Sequence, residues 1–231
     1  KLTAAIVLDV YIVGDDMNQE ISRSILNSHQ PMSCLHFLIL EKLLIRCQHF
    51  FLFLFFLLFE LHYFQRSFIF PFLMKGKSRM PLAIMLMGVV FNVLNGLMQG
   101  EWLFYLAPEG LYTDAWLSTP SFWLGIILFF IGMGINLHSD SVIRHLRKPG
   151  DTRHYLPQKG MYRYVTSGNY FGELVEWIGF AVLTCSPAAW VFVLWTFANL
   201  APRANSIRNR YREEFGKDAV GKKKRMIPFI Y

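Results

Sequence analysis

The chain alternates between long apolar runs and shorter polar segments. The apolar runs cover 50–74, 80–98, 116–137 and 171–201, and Cys185-Ser186-Pro187 divides the last of them. A membrane-spanning helix needs about 20 predominantly apolar residues. The pattern therefore predicts four or five well-defined spans.

A further apolar run, 32–51, is interrupted by charge. Glu41, Lys42 and Arg46 lie near its middle, and each charged side chain costs about 3 kcal/mol at the centre of a bilayer. We interpret this run as interfacial, partly buried or degenerate. The predicted organisation is a poorly defined polar segment over 1–31, a degenerate or interfacial stretch and the first clear apolar helix over 32–60, and a C-terminal membrane domain over 61–231.

Composition supports a membrane protein. Hydrophobic residues make up 54% of the 231 residues and charged residues only 17%, whereas soluble domains carry roughly 25% charged residues. Because backbone polar groups inside a bilayer must be satisfied within the spanning segment, long apolar runs predict helices. The predicted fold is an all-α, polytopic membrane helix bundle with five to seven spans.

The charge of the connections alternates along the chain. Lys75, Lys77 and Arg79 follow the first clear span, the next connection at 101–115 has no Lys or Arg, and the block 138–168 is basic again. Together with the basic C-terminal tail, this alternation follows the positive-inside rule. It predicts that 138–168 and the tail share the cytosolic face.

The net charge of +7 has a simple alternative explanation. Basic residues at span ends orient a membrane protein and contact anionic lipid headgroups. Nucleic-acid binding is not expected, because the basic residues flank spans and no recognition fold is visible. Cys34, Cys47 and Cys185 form no metal-spaced cluster and are expected to be buried thiols rather than disulfides.

A polar block at 132–177 separates two apolar runs. Asn136 and Asp140 are four residues apart and share a helix face. Arg144 and Lys148 extend this row and Arg147 lies nearly on the same side, before Pro149-Gly150 ends the predicted helix.

A second polar row begins the next span. Asn169, Glu173 and Glu176 are spaced to lie on one helix face, and they suit ligand hydroxyls, amides and cations. The alternative is a solvated helix end at the membrane interface. Two facing rows on neighbouring segments favour a ligand site, since ionisable residues within spans usually face a cavity or a partner.

The first clear span also contains polar side chains. Tyr63 and Arg66 are one turn apart, and a buried tyrosine can donate a hydrogen bond to a carbonyl oxygen. Alternatively, the Arg66 side chain extends to the cytosolic edge of the membrane. Elsewhere, His138 and Trp177 are also compatible with the membrane interface.

Gly132 and Gly134 form a Gly-x-Gly sequence without the strand, turn and helix of a dinucleotide fold. We interpret both glycines as sites of close helix packing.

An ordered series of short motifs resembles the steroid 5α-reductase family from about Leu61 to Tyr231, nearly three quarters of the chain. The matching residues are His62-Tyr63-Phe64-x-Arg66, Asn95-Gly96 with Gln99-Gly100, Tyr112-Thr113-Asp114, Gly132-Met-Gly-x-Asn136-x-His138-Ser139-Asp140, Leu146-Arg147-Lys148-Pro149-Gly150, Pro157-Gln158-x-Gly160, Tyr164-Val165, Asn169-Tyr170-x-Gly172-Glu173, Glu176-Trp177-x-Gly179 and Ile227-Pro228-Phe229.

This resemblance implies a multi-pass membrane enzyme, in the endoplasmic reticulum if the source is eukaryotic, that uses NADPH to reduce the Δ4 double bond of 3-oxo-steroids. It implies that Tyr63 binds the 3-keto oxygen and that Trp177 lies near the junction of steroid and nicotinamide. We expect a monomer whose partners are a steroid or other lipid enone substrate and membrane lipid. The positions that match the family's NADPH-binding residues are Asn136, Asp140, Arg147, Asn169, Glu173, Arg203 and Tyr211.

The chain departs from the family pattern before the tyrosine. The family has a glutamate roughly thirty residues earlier that also binds the keto oxygen, whereas this chain reads Ser28-His29-Gln30-Pro31-Met32-Ser33. Two alternatives therefore stay open. One is a related membrane reductase of enoyl or polyprenol-type chains, and the other is a truncated, inactive family member.

Overall fold

The computed structural model describes residues 50–73, 82–146 and 153–231. The prediction of an all-α fold is confirmed for these residues. The helices are α1 (Phe50–Leu73), α2 (Leu82–Glu101), α3 (Pro120–Arg144), α4 (Gly168–Thr184), α5 (Pro187–Phe215) and α6 (Lys217–Val220). Shorter helical turns are the π-helices Gln65–Ile69 and Trp102–Leu106 and the 3-10 helices Asp114–Ser118 and Gly160–Arg163.

Helices α1 and α3 are long and apolar enough to cross a membrane, judged by length and composition. They correspond to the predicted spans 50–74 and 116–137. Helix α3 begins later than predicted, at Pro120, because the Thr119 hydroxyl accepts a hydrogen bond from the Phe122 backbone N–H and Pro120 suits the first helical position. It then continues past Leu137 to Arg144, so the first polar row lies on the same helix as the apolar run.

The described residues fall into two compact units. In the unit of residues 50–54 and 82–116, α2 continues into the π-helix Trp102–Leu106. The Trp102 indole N–H of this π-helix donates to the hydroxyl of Tyr112, which follows the π-helix, at 3.3 Å. The other unit comprises residues 55–73, 117–146 and 153–231, and it contains the polar block.

Glycines bring α3 and α4 into close contact within the larger unit. A Cβ atom on Gly132 would overlap the backbone of Glu176, and one on Gly172 would overlap the backbone of Asn136. The close-packing prediction is therefore confirmed for Gly132. It is wrong for Gly134, which faces open space because it lies on another side of α3.

The junction between α4 and α5 lies where the Cys-Ser-Pro sequence predicts a break. Cys185 adopts a left-handed backbone conformation with φ 48°, and the Ser186 hydroxyl accepts from the Ala189 backbone N–H to cap α5. The prediction of a buried thiol is wrong for Cys185, which is exposed because it lies in this turn rather than on a packed helix face.

The C-terminal tail runs beside the segment that precedes α4. The backbone N–H groups of Thr166 and Ser167 donate to the carbonyls of Lys224 and Arg225 at 2.9 and 3.0 Å, and Lys224 N–H donates to the Tyr164 carbonyl. The basic tail thus packs against the end of the polar block, while the cytosolic face predicted for both stays a prediction.

Several sequence predictions fall outside the described residues. They are the polar segment 1–31, the interrupted run at 32–49, Cys34, Cys47, the basic connection at 75–79, Arg147, Lys148 and the helix stop at Pro149-Gly150.

Candidate active site

The two predicted polar rows meet between α3 and α4. The Asn136 side-chain amide donates to the Asn169 carbonyl at 3.1 Å, and the Asn169 side-chain amide donates to Asp140 Oδ1 at 3.2 Å. Asn136 and Asp140 are almost completely buried. The shared helix face predicted for Asn136 and Asp140 is therefore confirmed, and Asn169 joins the two helices.

Arg66 joins this cluster from α1. Its guanidinium donates to Asp140 Oδ2 at 2.6 Å and to Glu173 Oε2 at 3.2 Å, and it lies 5.3 Å from the centre of the Phe70 ring. Arg66 lies in the π-helical turn Gln65–Ile69. The buried Asp140 carboxylate and the partly exposed Glu173 carboxylate therefore hold the guanidinium within the helix bundle, and the position of Arg66 relative to the membrane edge stays a prediction.

An aromatic wall lies beside the polar cluster on the same turn of α1. It consists of Phe59, Tyr63 and Trp177, with Phe192 from α5 closing its far side. Trp177 is only 1% exposed, so its interpretation as a membrane-interface residue is wrong. Tyr63 is half-buried, and its ring centre lies 6.1 Å from that of Trp177.

The pairing of two buried side chains under this wall was not predicted. His62 Nδ1 and Glu176 Oε1 lie 3.0 Å apart, and both side chains are at least nine-tenths buried. Glu176 shares the predicted helix face with Asn169 and Glu173, but it points to His62 rather than to the amide cluster. The spacing of the polar row indicated that Glu176 faces the site, but nothing in the sequence indicated that His62 is its partner.

Arg203 and Tyr211 both lie on α5, and Tyr211 is close enough to Tyr162 to influence its phenol electrostatically. Arg203 lines an open cavity of about 380 Å³ together with Tyr170, Pro202, Ser206, Ile207 and Arg210. Tyr170 directly follows Asn169, so this cavity adjoins the second polar row. Tyr211 packs near Phe215, with ring centres 6.0 Å apart, and does not line the cavity.

Tyr162 extends the amide cluster towards the C-terminal tail. Its hydroxyl donates to Asn169 Oδ1 at 3.4 Å. Burial, and after it the nearby Asp140 carboxylate, raises the pKa of Tyr162 well above its ordinary value. The phenol therefore stays neutral and acts as a hydrogen-bond donor.

The chemistry of these donors and acceptors fits a nucleotide cofactor. Amide and carboxylate groups suit ribose hydroxyls and a carboxamide, while Arg203 and Arg210 present charge to phosphate. Ser139 Oγ and Ser167 Oγ are buried and have no hydrogen-bond partner within the described part of the chain, which leaves polar capacity next to the cluster. Among residues 50–73, 82–146 and 153–231, no group of three or more His, Cys, Asp or Glu side chains could hold a metal ion.

Comparison with known proteins identifies the family. A family profile described as 3-oxo-5-alpha-steroid 4-dehydrogenase matches residues 78–231. The chain is 44% identical over 173 residues to 3-oxo-5-alpha-steroid 4-dehydrogenase 1 of Bos taurus, and the matched region is 75% of this chain and 66% of that protein. It is 40% identical over 174 residues to human 3-oxo-5-alpha-steroid 4-dehydrogenase 1, and the matched region is 75% of this chain and 66% of the human protein.

A second human relative gives the same result. Human 3-oxo-5-alpha-steroid 4-dehydrogenase 2 is 41% identical over 174 residues, again 75% of this chain and 66% of the relative. The chain thus spans about two thirds of the length of the curated relatives that it matches. A profile match over most of the chain and this identity to three relatives show that the chain belongs to the 3-oxo-5-alpha-steroid 4-dehydrogenase family.

Proposed function

We propose that the protein reduces the Δ4 double bond of 3-oxo-steroids to 5α-3-oxo-steroids, with NADPH as the reductant. The single observation that best supports this proposal is the arrangement around α1. One turn of this helix presents Tyr63 to a buried aromatic wall and Arg66 to the amide and carboxylate cluster. A flat apolar substrate and a polar cofactor would then meet along one helix.

The proposed role of Tyr63 follows from the electronic demand of the reaction. When bound, NADPH would supply a hydride to the β-carbon of the enone, and a proton from solvent would complete the reduction at the α-carbon. Negative charge then develops on the keto oxygen, and a hydrogen-bond donor directed at that oxygen lowers the barrier. The Tyr63 hydroxyl has this chemistry, and Trp177 gives the steroid a flat apolar surface beside it.

The proposed cofactor residues act by binding and orientation. Asn136, Asp140, Asn169 and Glu173 would hold hydroxyl and amide groups, and the burial of Asn136 and Asp140 limits competition from water. Arg203 and Arg147 would bind phosphate through charge-assisted hydrogen bonds. Tyr211 stays a proposed contact of the same cofactor on the basis of its matching position.

We further propose that the protein is a multi-pass membrane protein, in the endoplasmic reticulum if it is eukaryotic, and that it works as a monomer with the cofactor on the cytosolic face. The steroid would enter from the lipid phase, because the wall that receives it lies next to apolar helix faces. The charge alternation along the connections supports this topology.

The test is NADPH oxidation by the purified, detergent-solubilised chain, measured with testosterone and progesterone and with product identification by mass spectrometry. Steroid-dependent oxidation and a 5α-reduced product are the expected result. NADPH binding without steroid turnover would indicate an inactive family member. Turnover of an enoyl or polyprenol-type substrate, but not of steroids, would indicate the related reductase class.

A further inference from the structure

Two adjacent pairs of residues on different helices meet below the aromatic wall. On α1, His62 precedes Tyr63. On α4, Glu176 precedes Trp177. The His62 ring nitrogen donates to the Glu176 carboxylate at 3.0 Å, while the rings of Tyr63 and Trp177 lie 6.1 Å apart above them. One directional bond therefore joins the backbone positions that carry the two proposed substrate contacts.

The His62 ring also packs directly on both members of the wall. Its centre lies 4.7 Å from that of Trp177 and 5.4 Å from that of Tyr63, with the latter pair edge to face. Rotation of the imidazole would therefore change the packing of both the Tyr63 and the Trp177 ring. The hydrogen bond to Glu176 fixes the imidazole in one orientation.

The polar pair is energetically unfavourable as a packing element alone. Glu176 is 1% exposed, and its second oxygen, Oε2, has no hydrogen-bond partner within the described residues. Burying a carboxylate with one oxygen unsatisfied opposes folding, and well-packed apolar side chains of similar volume usually do as well or better. A role in orientation accounts for a polar pair at this position, since apolar contacts have no directional preference.

We propose that His62 and Glu176 are positioning residues that set the orientation of Tyr63 towards the substrate's keto oxygen. The proposal rests on the proposed function, because it assigns the pair a role in the same reaction. Neither residue touches the reacting atoms. A shift of about 1 Å in a catalytic group can lower a rate about 100-fold, so a residue that controls orientation has a large effect at a distance.

The experiment compares the wild-type protein with Glu176→Ala, His62→Ala and Glu176→Gln. For each we measure kcat, the steroid KM, the NADPH Kd and the primary isotope effect with NADPH deuterated at the transferred position. We expect Glu176→Ala and His62→Ala to lower kcat about 10-fold or more and to raise the isotope effect, because hydride transfer becomes slower relative to the other steps. NADPH Kd should change less than about two-fold, because the amide cluster is intact.

Glu176→Gln tests whether the hydrogen bond itself is responsible. The glutamine keeps the size of the side chain and an oxygen that accepts from the His62 N–H, so it should restore most of kcat and the wild-type isotope effect. Glu60→Gln is the matched control, because it neutralises a partly buried carboxylate on α1 whose Oε1 has no hydrogen-bond partner within the described residues. It should leave all four quantities unchanged.

Loss of folding gives a different pattern. A variant that merely unfolds in part loses activity in proportion to its folded fraction, with an unchanged isotope effect and KM, and this result for Glu176→Ala and His62→Ala would overturn the proposal. Unchanged kcat in both variants would overturn it as well.

Absence of steroid turnover in the wild-type protein would instead overturn the proposed function. The pair is then tested by the fluorescence of Trp177, obtained by difference from Trp177→Phe. A changed emission in His62→Ala supports the orienting role of the pair, and an unchanged emission contradicts it.

Discussion

Tyr63 and Arg66 lie one turn apart on α1, yet their surroundings differ completely. Tyr63 contacts aromatic rings, whereas Arg66 bonds two carboxylates. Residues three apart are neighbours on a helix face. The apolar region around Tyr63 and the polar region around Arg66 are therefore only a few ångströms apart. Substitutions at Tyr63 and at Arg66 therefore act first on the apolar and on the polar region, respectively.

Substitution of Tyr63 by Phe removes the hydroxyl and keeps the ring in the wall. We expect steroid turnover to fall about 100- to 1,000-fold, the usual effect of removing a donor to a developing oxyanion, while NADPH affinity stays constant. Tyr164→Phe removes a hydroxyl from an exposed tyrosine and is the control. Wild-type turnover by Tyr63→Phe would contradict the role given to this residue.

Asn169 is the residue that joins the amide cluster. Asn169→Ala removes its bonds to Asp140 and Tyr162. We expect the NADPH Kd, measured by equilibrium fluorescence titration, to rise about 10-fold, equivalent to about 1.4 kcal/mol. Asn199→Ala is the control, since that exposed asparagine bonds only to the Trp195 carbonyl of its own helix. An equal effect of both substitutions would argue against cofactor binding at the cluster.

Tyr162 makes stability depend on alkaline pH. Its pKa is raised in the folded state, so the folded protein retains a proton that the unfolded chain loses near pH 10. This contribution to the free energy of unfolding is complete below pH 10 and decreases as the pH rises above it. We expect Tyr162→Phe to reduce the loss of thermal stability between pH 8.5 and 10.5. Equal losses in variant and wild type would contradict the assigned pKa direction.

At the scale of elements, the contact of α3 with α4 determines where the site forms. Gly132 and Gly172 allow the helix backbones to approach, and the amide cluster lies one turn further along. Both helices could be predicted from the apolar runs, and both polar rows from helical spacing, because these features depend only on the local backbone.

What could not be predicted is how α1 is rotated against α4. The His62–Glu176 bond joins residues 114 positions apart, and no periodicity within either helix specifies such a partner. The same limit explains why Arg66 had two interpretations and why Trp177 was compatible with the membrane interface. Packing between helices buries Trp177 and supplies the two carboxylate partners of Arg66.

Gly132→Ala tests the helix contact. The added methyl group overlaps the backbone of Glu176, and such overpacking costs about 1–3 kcal/mol. We expect a lower unfolding temperature in detergent together with weaker NADPH binding. Gly134→Ala is the matched control two residues away, where open space allows the methyl group and the better helix propensity adds about 0.5–1 kcal/mol of stability. A loss of stability in the control would show that the contact is not the cause.

At the scale of the whole molecule, the tail from Lys222 to Tyr231 holds the start of α4 against α5. Arg225 donates to Asn205 at 2.7 Å and lies over the Tyr231 ring, and the Tyr231 hydroxyl donates to the Ala201 carbonyl. The basic tail is therefore a structural element as well as a source of charge. The charge pattern of the sequence did not predict these contacts.

Arg225→Ala removes the bond to Asn205 and the stacking on Tyr231. We expect a loss of about 1–2 kcal/mol in the free energy of unfolding, measured by thermal melting in detergent. Lys222→Ala removes an exposed positive charge from the same tail and serves as the control. Equal destabilisation by both changes would indicate an effect of net charge rather than of the specific contacts.

The Arg66 guanidinium has a consequence for how two ligands influence each other. It is bound by Asp140 and Glu173, the same carboxylates proposed to hold the cofactor, and it belongs to the helical turn that carries Tyr63. A ligand that competes for either carboxylate must displace or rearrange Arg66, and the change passes along one turn of α1 to the proposed steroid contact. Thermodynamic reciprocity then requires steroid to alter cofactor affinity by the same factor by which cofactor alters steroid affinity. Coupling between the affinities of the two ligands would thus be a property of the two ion pairs of Arg66.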